Sequence, residues 1–482
     1  MPEEGEDWSA AAARRAFQEL VRLGPVLDPL AQRFAEVGRE LYLVGGPVRD
    51  ALLGRQTSDL DFTTDARPEQ ILTVVKPLGP TWTTGMAFGT IGVQVGEHRC
   101  EITTFRSDVY DPASRKPQVD FGDTIEGDLV RRDFTVNAMA VALPLAAARP
   151  IVDPAGGFKD LAAGVLRTPI APEQSFADDP LRMMRAARFA AQLGFAVEAA
   201  TLTAITGMTD RLEIVSAERI RDELSKLILA ASPRLGLAIL VETGMADRVL
   251  PEVARLRDTV DEHRRHKDVY AHTLTVLEQA IQLEPDGPDL VLRLAALLHD
   301  IGKPKTKEVD PDGKVSFHHH EVVGAAMTRR RLSDLRYPKD VVEDVAQLVF
   351  LHLRFHGYSG GAWTDAAVRR YVRDAGPLLD RLHRLTRSDC TTRNARKAAA
   401  LASAYDSLEQ RIADLARQED LDAIRPDLDG NEIMRVLGLP PGPAVGKAYR
   451  YLLDLRMERG PMAHDEAVGA LKEWAAEQGL GA

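Results

Sequence analysis

Strand-like segments are confined to one stretch of this sequence, and that limits the folds open to the chain. From about Asp178 onward, the sequence shows Ala, Leu, Arg and Glu at helical spacing, and residues 8–38 also read as amphipathic helix. Between residues 40 and 170, short β-rich runs alternate with Gly and Pro. We therefore predict an α+β fold: a head with a small mixed or antiparallel sheet and helices, then an elongated all-α body. The β-rich runs are Leu41–Val44, Leu60–Thr63, Thr90–Val95 and Cys100–Phe105.

Composition narrows the class of protein. The 482 residues, 45% apolar and 28% charged, are typical of a globular chain with several domains. A net charge of −11 argues against indiscriminate binding to nucleic acid, although binding depends on local charge. Two cysteines favour a reducing compartment, and neither a secretory leader pattern nor a membrane-length apolar run occurs. We expect a cytoplasmic protein that does not bind membranes.

The first dense motif is a glycine turn after an apolar strand. Gly45 and Gly46 follow Leu41–Val44, and Pro47 stands where a helix would begin. Two glycines allow a phosphate to approach the backbone at a helix N-terminus, and Arg49 could neutralise its charge. An ordinary strand–turn–helix connection explains this fragment equally well.

Paired carboxylates follow about ten residues later. Asp59 and Asp61 are two residues apart, so a strand would place both on one face and turn Leu60 and Phe62 into the core. Glu101 begins another strand-like run. Three carboxylates on neighbouring strands suit Mg²⁺ and two-metal phosphoryl transfer, whereas the structural alternative is a solvated edge strand.

Five ordered sequence blocks together resemble the class II polymerase-β-like nucleotidyltransferases, the family of tRNA CCA-adding enzymes and bacterial poly(A) polymerases. The resemblance covers the head and the segment after it. The blocks are VGGPVRDALLG, SDLDF, RRDFTVNAMA at 131–140, DDPLRMMRAARFAAQLGF at 178–195 and ERIRDEL at 218–224.

The resemblance implies roles for matching residues of the head. Asp59 and Asp61 would hold two Mg²⁺ ions as catalytic residues, with Glu101 as the third carboxylate. Nucleotide contacts are implied in two blocks. The glycine turn with Arg49 would bind the triphosphate, and Arg132 would contact the nucleotide. Asp133 and Asn137 would orient the ribose.

The block at 178–188 predicts base selection by protein side chains. Asp179 is a suitable helix cap before Pro180. A carboxylate only accepts hydrogen bonds and a guanidinium only donates them, so the two side chains together can match the edge of a base. The resemblance assigns this selection of CTP and ATP to Asp179 and Arg182. Arg185 and Arg188 continue the basic stripe as further nucleotide contacts, although the stripe could equally be a solvated helix face.

The implied activity is addition or repair of the tRNA 3′-terminal CCA from CTP and ATP. The polar stretch between Arg106 and Gly127 resembles a family loop that serves the switch from C to A addition, and no basic insert follows Asp61. Both features favour CCA addition over poly(A) synthesis or addition of CC or A alone, which stay as alternatives. Another class is also open: a phosphohydrolase whose head merely binds RNA.

A second constellation follows in the helical body. His299 and Asp300 end an apolar helix before Gly302 and Pro304. Histidine and carboxylate together suit Mn²⁺, Fe²⁺, Co²⁺, Ni²⁺ or Zn²⁺, which can activate water against a phosphoester. This part resembles the HD phosphohydrolase domain, with a metal-free helical scaffold as the alternative. The resemblance implies the ligands His272, His299, Asp300, His320, His352 and Asp389.

The C-terminal part contains a basic segment, residues 365–400, with nine Arg or Lys against four Asp. A Gly/Pro turn at Leu437–Lys447 could present backbone N–H groups to an RNA phosphate, or could simply join two helices. We expect tRNA, not DNA, as the polymeric partner; the sequence leaves the oligomeric state open. The predicted domains are 1–38 (N-terminal helical), 39–170 (nucleotidyltransferase head), 171–255 (helical neck), 256–400 (HD) and 401–482 (helical tail).

Overall fold

The chain divides into two units, Met1–Pro251 and Glu252–Ala482, in a computed structural model. The structure describes residues 8–57, 59–106, 122, 124–145, 151–259, 268–312, 315–355, 363–392, 394–419 and 424–480. No helix in these ranges is both long and apolar enough to cross a membrane.

One seven-stranded mixed sheet organises the first unit, in the order β3-β4-β5-β2-β1-β6-β7. Its central pair, β2 and β5, is parallel, and the other neighbours are antiparallel. A short parallel pair, β8 and β9, forms separately. The strands are β1 Leu41–Val44, β2 Asp59–Thr64, β3 Thr81–Trp82, β4 Thr90–Val95, β5 His98–Thr104, β6 Ala140–Leu143, β7 Ile151–Val152, β8 Val165–Leu166 and β9 Ala196–Val197. The mixed sheet confirms the predicted α+β fold.

Helices of the first unit begin before the sheet and continue after it. They are α1 Trp8–Arg22, α2 Gly24–Glu36, α3 Gly46–Leu53, α4 Pro68–Val75, α5 Ile125–Val130, α6 Gly157–Ala163, α7 Pro172–Asp178, α8 Leu181–Leu193, α9 Ala199–Met208, α10 Ala217–Ile228, α11 Pro233–Glu242 and α12 Met245–Val249. Helical turns of the 3₁₀ type cover Met86–Phe88, Thr135–Asn137 and Thr209–Ile214.

The N-terminal segment corrects one expectation. Residues 8–38 were expected to form amphipathic helix, but the helix is interrupted at Leu23, between α1 and α2. Pro25 lies in the first turn of α2, where its missing N–H costs no helical hydrogen bond. Pro29 lies inside α2, where its missing N–H does remove one helical hydrogen bond.

Alternation along the central strands separates a buried face from an open one. Leu60 and Phe62 are each 1% exposed, whereas the alternating residues Asp59 and Asp61 are exposed. Helix α4 packs against β4 and β5. The predicted placement of the apolar side chains of this strand is confirmed, and the carboxylates lie on the open face.

In its described residues, the second unit is helical apart from one short antiparallel pair of strands. Its helices are α13 Pro251–Ala254 (at the junction), α14 Val269–Gln282, α15 Leu290–Leu298, α16 Lys303–Thr306, α17 His320–Asp334, α18 Lys339–Leu351, α19 Asp365–Ala375, α20 Leu379–Ser388, α21 Ala395–Gln418, α22 Gly430–Leu437, α23 Pro443–Arg459 and α24 His464–Glu477. Arg255–Asp258 and Gly376–Leu378 are 3₁₀ turns, and β10 Glu308–Val309 pairs with β11 Val315–Ser316. Helices α22–α24 share a core of their own, including Leu428, Ile433, Leu452 and Leu471.

Candidate active site and metal centre

The glycine turn forms as its sequence predicts. Gly45 has φ of +74°, a left-handed conformation that favours glycine. A Cβ at Gly45 would also lie 3.1 Å from Nη1 of Arg132. Helix α3 begins at Gly46 with Pro47 in its first turn. The turn thus brings the backbone close to the arginine of a distant block.

The three predicted catalytic carboxylates lie on the paired central strands. In the parallel register, Asp61 is opposite Glu101 and Asp59 is opposite Arg99. Residues opposite each other in a ladder point to the same face. Asp59, Asp61 and Glu101 therefore share the open face, as their positions in the sequence suggested.

A cavity of about 750 Å³ collects most of the predicted nucleotide-binding residues. The predicted residues that line it are Gly45, Gly46, Arg49, Asp61, Arg132, Asp133, Asn137, Asp179, Arg182 and Arg185. Further arginines on its wall are Arg106, Arg131, Arg211 and Arg219. Asp59, Glu101 and Arg188 are not part of this lining. The excess of guanidinium groups gives the cavity a positive field suited to a polyphosphate.

Of the three predicted catalytic carboxylates, Asp61 is the one that lines this cavity. Desolvation by the surrounding walls raises the pKa of its carboxyl, although the residue is accessible to solvent within the cavity. Arg132 lowers this pKa, while Glu101 raises it. A carboxylate in this setting gains from a nearby cation, which is the behaviour expected of a metal ligand.

A buried polar network joins the glycine turn to the block at 131–140. Arg49 Nη1 donates to Asn137 Oδ1 at 2.6 Å, and Asn137 Nδ2 donates to Asp133 Oδ1 at 3.0 Å. Arg185 donates from Nε to Asp133 Oδ2 at 2.6 Å. Burial alone would raise the pKa of Asp133, but Arg185 and the Asn137 amide outweigh it and hold that pKa well below its usual range. The site is therefore pre-organised with Asp133 ionised.

Asp179 and Arg182, the residues predicted to select the base, both line the cavity wall. Arg219 donates to Asp179 Oδ2 at 2.9 Å. Arg182 donates to Ser175 Oγ at 2.8 Å and to the Arg131 carbonyl at 2.5 Å. Both side chains are held in place by these bonds.

The start of helix α8 differs slightly from the prediction. The helix begins at Leu181, and Pro180 is its cap position rather than its first residue. The carboxylate of Asp179 still satisfies the first free backbone donor, because it accepts from Leu181 N–H at 3.2 Å.

Arg188 has a structural setting that the three-residue spacing did not reveal. Its side chain is buried, with Cζ 3.9 Å from the centroid of the Phe189 ring, and it pairs with Glu223. Glu223 also lies 3.7 Å from Nη1 of Arg185. The nucleotide-binding role predicted for Arg188 stays a prediction, since its side chain contacts Glu223 and Phe189 and does not line the cavity.

Sequence reasoning missed Asp128. Its buried carboxylate pairs with Arg131 at 2.5 Å and with Arg132 at 3.1 Å. Burial alone would raise the pKa of Asp128, but these two guanidinium groups lower it. The signal was available, because spacings of three and four residues bring helical neighbours together.

The second unit brings all six predicted HD residues into one cluster. They form two adjoining groups of potential ligands, each with ligand atoms within 4.8 Å of one another. One group is His272, His299 and Asp389, and the other is Asp300, His320 and His352. Within the described ranges, three-residue groups of this spacing occur in this unit alone. His319 has a side chain that is 83% exposed and takes no part.

The histidines of this cluster are oriented by their outer nitrogens. Nδ1 of His299, His320 and His352 contacts the carbonyl oxygen three residues earlier, at 2.9, 2.8 and 2.6 Å. Nδ1 of His272 contacts Thr391 Oγ1 at 3.1 Å. Such contacts fix the ring and present Nε2 inward, as metal-binding histidines do.

The inward-facing atoms fit a cation. Nε2 of His299, His320 and His352 are buried without a satisfied hydrogen bond in the described part of the chain. Burial alone would lower the pKa of His299, but Asp300 and Asp389 raise it to about 10. The two carboxylates therefore require positive charge at the centre of the cluster.

Two further residues support the cluster. Lys303 Nζ lies 2.8 Å from Asp300 Oδ2, one helical turn after it. Gly302 allows close packing, because a Cβ there would lie 2.1 Å from the His320 carbonyl oxygen. Sequence analysis used Gly302 only to end a helix and assigned no role to Lys303.

Five of the nine basic residues in segment 365–400 form ion pairs, so part of the positive charge counted from the sequence is offset. Arg369 pairs with the buried Glu419, and Arg381 pairs with Asp289. Other pairs join Arg370 to Glu458, Arg373 to Asp374, and Arg387 to Asp406 and Glu409. The local charge excess read from the sequence therefore overstates what this segment offers to RNA.

Comparisons with protein families match three parts of the chain. Residues 41–167 match the poly A polymerase head domain, 194–256 match a probable RNA-binding site of polymerase A, and 269–416 match the HD domain. Together with the carboxylate-bearing sheet and the arginine-lined cavity, these matches define a nucleotidyltransferase head combined with an HD domain.

Whole-chain relatives define the family. The chain is 35% identical to the A-adding tRNA nucleotidyltransferase of Deinococcus radiodurans, over 90% of this chain and 95% of the relative. It is 32% identical to the CC-adding tRNA nucleotidyltransferase of Thermus thermophilus, over 90% and 94%. The chain belongs to the tRNA nucleotidyltransferase family.

Solved structures agree on the fold. A Bacillus stearothermophilus CCA-adding enzyme in complex with CTP matches with a TM-score of 0.67 and 26% identity, over 96% of this chain and 98% of that one. A Thermotoga maritima CCA-adding enzyme complexed with tRNA matches with a TM-score of 0.57 and 18% identity, over 97% and 98%.

Proposed function

We propose that this protein adds nucleotides from CTP and ATP to the 3′ end of tRNA, building or repairing the terminal CCA without a nucleic-acid template. One observation carries the proposal: a single cavity joins the glycine turn and Asp61 to the pair Asp179 and Arg182. The first two suit a triphosphate and its metal, and the pair suits a base. We place this activity in the cytoplasm.

The reaction is attack of the RNA 3′-hydroxyl on the α-phosphate of the nucleotide, with pyrophosphate leaving. Asp59, Asp61 and Glu101 would hold two Mg²⁺ ions, which supply charge stabilisation to the attacking and leaving oxygens when bound. Arg49 and Arg132 bind the triphosphate beside the glycine turn. The oxygens of the transferred phosphoryl group thus face fixed positive groups.

The ribose and the base are read by separate parts of the cavity. Asp133 and Asn137 are locked together at 3.0 Å and orient the ribose. Asp179 accepts hydrogen bonds and Arg182 donates them, so the pair can meet the donor and acceptor edge of cytosine or adenine. Guanine and uracil present different edges and are rejected because they leave these groups unpaired.

A second candidate is addition of only part of the CCA sequence. The whole-chain relatives above are named as A-adding and CC-adding enzymes. A multifunctional CCA protein of Neisseria gonorrhoeae is 35% identical over a smaller part, 66% of this chain and 74% of the relative. Most of the loop predicted to serve the switch from C to A, residues 107–121 and 123, lies outside the described residues.

Product analysis separates these activities. Purified protein is incubated with tRNAs ending before CCA, after CC, or after the complete CCA, with labelled CTP and ATP supplied singly and together. Complete activity extends the first substrate by three nucleotides and stops. Extension of only the first or only the second substrate indicates partial addition, and a long A tail refutes tRNA-end completion in favour of poly(A) synthesis.

The carboxylates provide the matched loss-of-function test. Asp59→Ala combined with Asp61→Ala is expected to abolish nucleotide addition while tRNA binding, measured by filter retention, persists. Residual addition by the double variant contradicts their assignment as catalytic residues. Nucleotide addition by the wild type, together with its loss in this variant, excludes the alternative from another class, in which the head merely binds RNA.

For the HD cluster we propose metal-dependent phosphohydrolase activity on 2′,3′-cyclic or 3′-phosphate ends. Mn²⁺, Fe²⁺, Co²⁺, Ni²⁺ and Zn²⁺ suit the mixed nitrogen and oxygen donors. His299→Ala with Asp300→Ala should remove bound metal and hydrolysis while leaving nucleotide addition intact. His319→Asn is the control, because its side chain is exposed and asparagine tolerates the left-handed backbone at that position.

The tail remains a proposed tRNA contact. Helix α22 ends before Gly438, and α23 begins at Pro443. We propose that this turn and the described arginines of segment 365–400 that form no ion pair contact the acceptor arm of tRNA. Recognition there would depend on the shape of the duplex, since A-form RNA is recognised mainly by shape. Cross-linking of tRNA to peptides from this part of the chain, with the head as a positive control, tests the contact.

A further inference from the structure

A row of residues continues from the carboxylates across the open face of the head sheet. Asp61 is opposite Glu101, Glu101 is opposite Gly92 on β4, and Gly92 is opposite Trp82 on β3. Directly opposed residues share a face. The same face that bears the catalytic groups therefore ends in an aromatic ring at the edge strand.

Gly92 makes room for that ring. A Cβ at Gly92 would lie 1.8 Å from Cε2 of Trp82, so any side chain would displace the indole. Gly92 is not among the glycines with positive φ, so its backbone conformation does not demand glycine. The indole packs on bare backbone next to Glu101.

Arg99 lies beside both the ring and the carboxylate row. Its Cζ is 4.7 Å from the centroid of the Trp82 ring, and its Nη2 is 3.4 Å from Glu101 Oε1. Arg99 and Glu101 are two positions apart on β5, about 7 Å along the strand, and therefore face the same side. In the parallel pairing with β2, Arg99 lies opposite Asp59. The side chain is 58% exposed. Stacking on the indole orients the guanidinium plane and leaves donors on its edge for an anion.

The nucleotide and the RNA must approach the carboxylates from different directions. Gly45, Gly46 and Arg182 place the nucleotide in the cavity, whose lining includes neither Trp82 nor Arg99. An RNA backbone that brings its 3′-hydroxyl to three carboxylates experiences repulsion from them. A cation on the far side of the row offsets that repulsion where the strand arrives.

We propose that Arg99 binds a backbone phosphate of the acceptor RNA strand and that Trp82 positions Arg99 for this contact. The inference rests on the proposed nucleotidyl transfer to RNA and deepens it by locating the strand that carries the attacking hydroxyl. Arg99 is a substrate-binding residue for the sugar–phosphate chain, and Trp82 acts through it. Because phosphates are common to all RNA sequences, the contact is independent of the bases.

The test measures binding of tRNA lacking CCA as a function of salt, alongside the steady-state constants for tRNA and CTP. Arg99→Ala is expected to weaken tRNA binding about tenfold and to reduce the slope of log K against log salt by roughly 0.7, the value for one single-strand phosphate contact. Affinity for CTP in the absence of RNA stays unchanged. Trp82→Ala should raise KM for tRNA, and Trp82→Phe should restore it.

Arg99→Lys retains the charge and is expected to preserve the salt slope. Arg39→Ala is the matched control, because Arg39 pairs with Asp65 at 3.0 Å, just beyond the opposite end of β2. A variant Arg99→Ala with normal tRNA affinity and salt slope but an altered Mg²⁺ requirement would overturn the proposal, since Arg99 would then serve Glu101 alone. Failure of the wild type to extend tRNA would instead refute the proposed function itself.

Discussion

Gly157 gives a sharp test of how the nucleotide site is positioned. A Cβ at this position, the start of α6, would lie 2.1 Å from the carbonyl oxygen of Thr135, whereas real Cβ contacts stay above 3.0 Å. The atom in the way belongs to the backbone, so rotation of a side chain cannot relieve the clash. Gly157→Ala must therefore move the Thr135–Asn137 turn, or α6 itself, by roughly 0.9 Å.

That displacement acts directly on the cavity. Asn137 joins Arg49 at 2.6 Å to Asp133 at 3.0 Å, and a shift of this size stretches such contacts beyond hydrogen-bond range. A misplacement of about 1 Å can lower a rate by about 100-fold, which corresponds to about 2.7 kcal/mol. We expect kcat/KM for CTP to fall by about two orders of magnitude, with an overpacking cost in stability of about 1–3 kcal/mol.

The assay is single-turnover addition of C to tRNA lacking CCA, with thermal unfolding measured in parallel. Gly207→Ala is the matched control, because Gly207 lies in α9 and a Cβ there would meet nothing within 4 Å. If Gly157→Ala folds normally and keeps kcat/KM within about threefold of wild type, the argued link from α6 to Asn137 is wrong.

Three further perturbations test other parts of the molecule. Gly302→Ala should lower the bound metal content of the HD cluster at least tenfold while sparing nucleotide addition, because the clash at 2.1 Å is with the His320 backbone. Asp128→Asn should destabilise the protein near pH 7. The wild-type advantage should shrink progressively as pH falls below about 4, the ordinary carboxyl value, and should be lost only below the lowered folded-state pKa of Asp128. Arg369→Ala should cost about 3–5 kcal/mol in urea unfolding, because Glu419 stays buried without its 2.8 Å partner.

Controls and contrary outcomes follow from the same contacts. Gly469→Ala, where a Cβ meets nothing within 4 Å, should leave metal content unchanged. A constant stability difference between wild type and Asp128→Asn from pH 7 to pH 3 contradicts the pKa argument. Arg384→Ala should change unfolding by less than about 0.5 kcal/mol; an effect equal to that of Arg369→Ala would mean that charge, rather than the buried pair, determines stability.

Local spacing predicted several features correctly. The two-residue period of a strand was enough to place Asp59 and Asp61 on one face and Leu60 in the core. Gly45 and Pro47 marked a strand–turn–helix junction, because glycine permits the positive φ of the turn and proline fixes φ at a helical value. These predictions depend on interactions within a few residues.

Other features depend on chain segments far apart in sequence. Arg182 and Arg188 have the same identity and lie on the same helix, yet Arg182 lines the cavity and Arg188 is buried against Glu223. Which arginine faces the cavity is decided by the packing of α10 against α8. Counting charge in the segment 365–400 overstated its unpaired charge for the same reason, because its neutralising partners include Asp289 and Glu458, far outside the segment.

By itself, the sequence determined the α+β class, the glycine turn and the carboxylate pair, since propensity, periodicity and side-chain chemistry are local properties. The six residues of the HD cluster came from the resemblance to the HD domain. Only the tertiary structure decided that Asp61 lies opposite Glu101 and that Trp82 ends the same row. Register between strands is set by the burial of whole faces and by loops of any length. The register cannot be read from the sequence of one strand alone, yet the register is what brings residues of separate motifs together in one site.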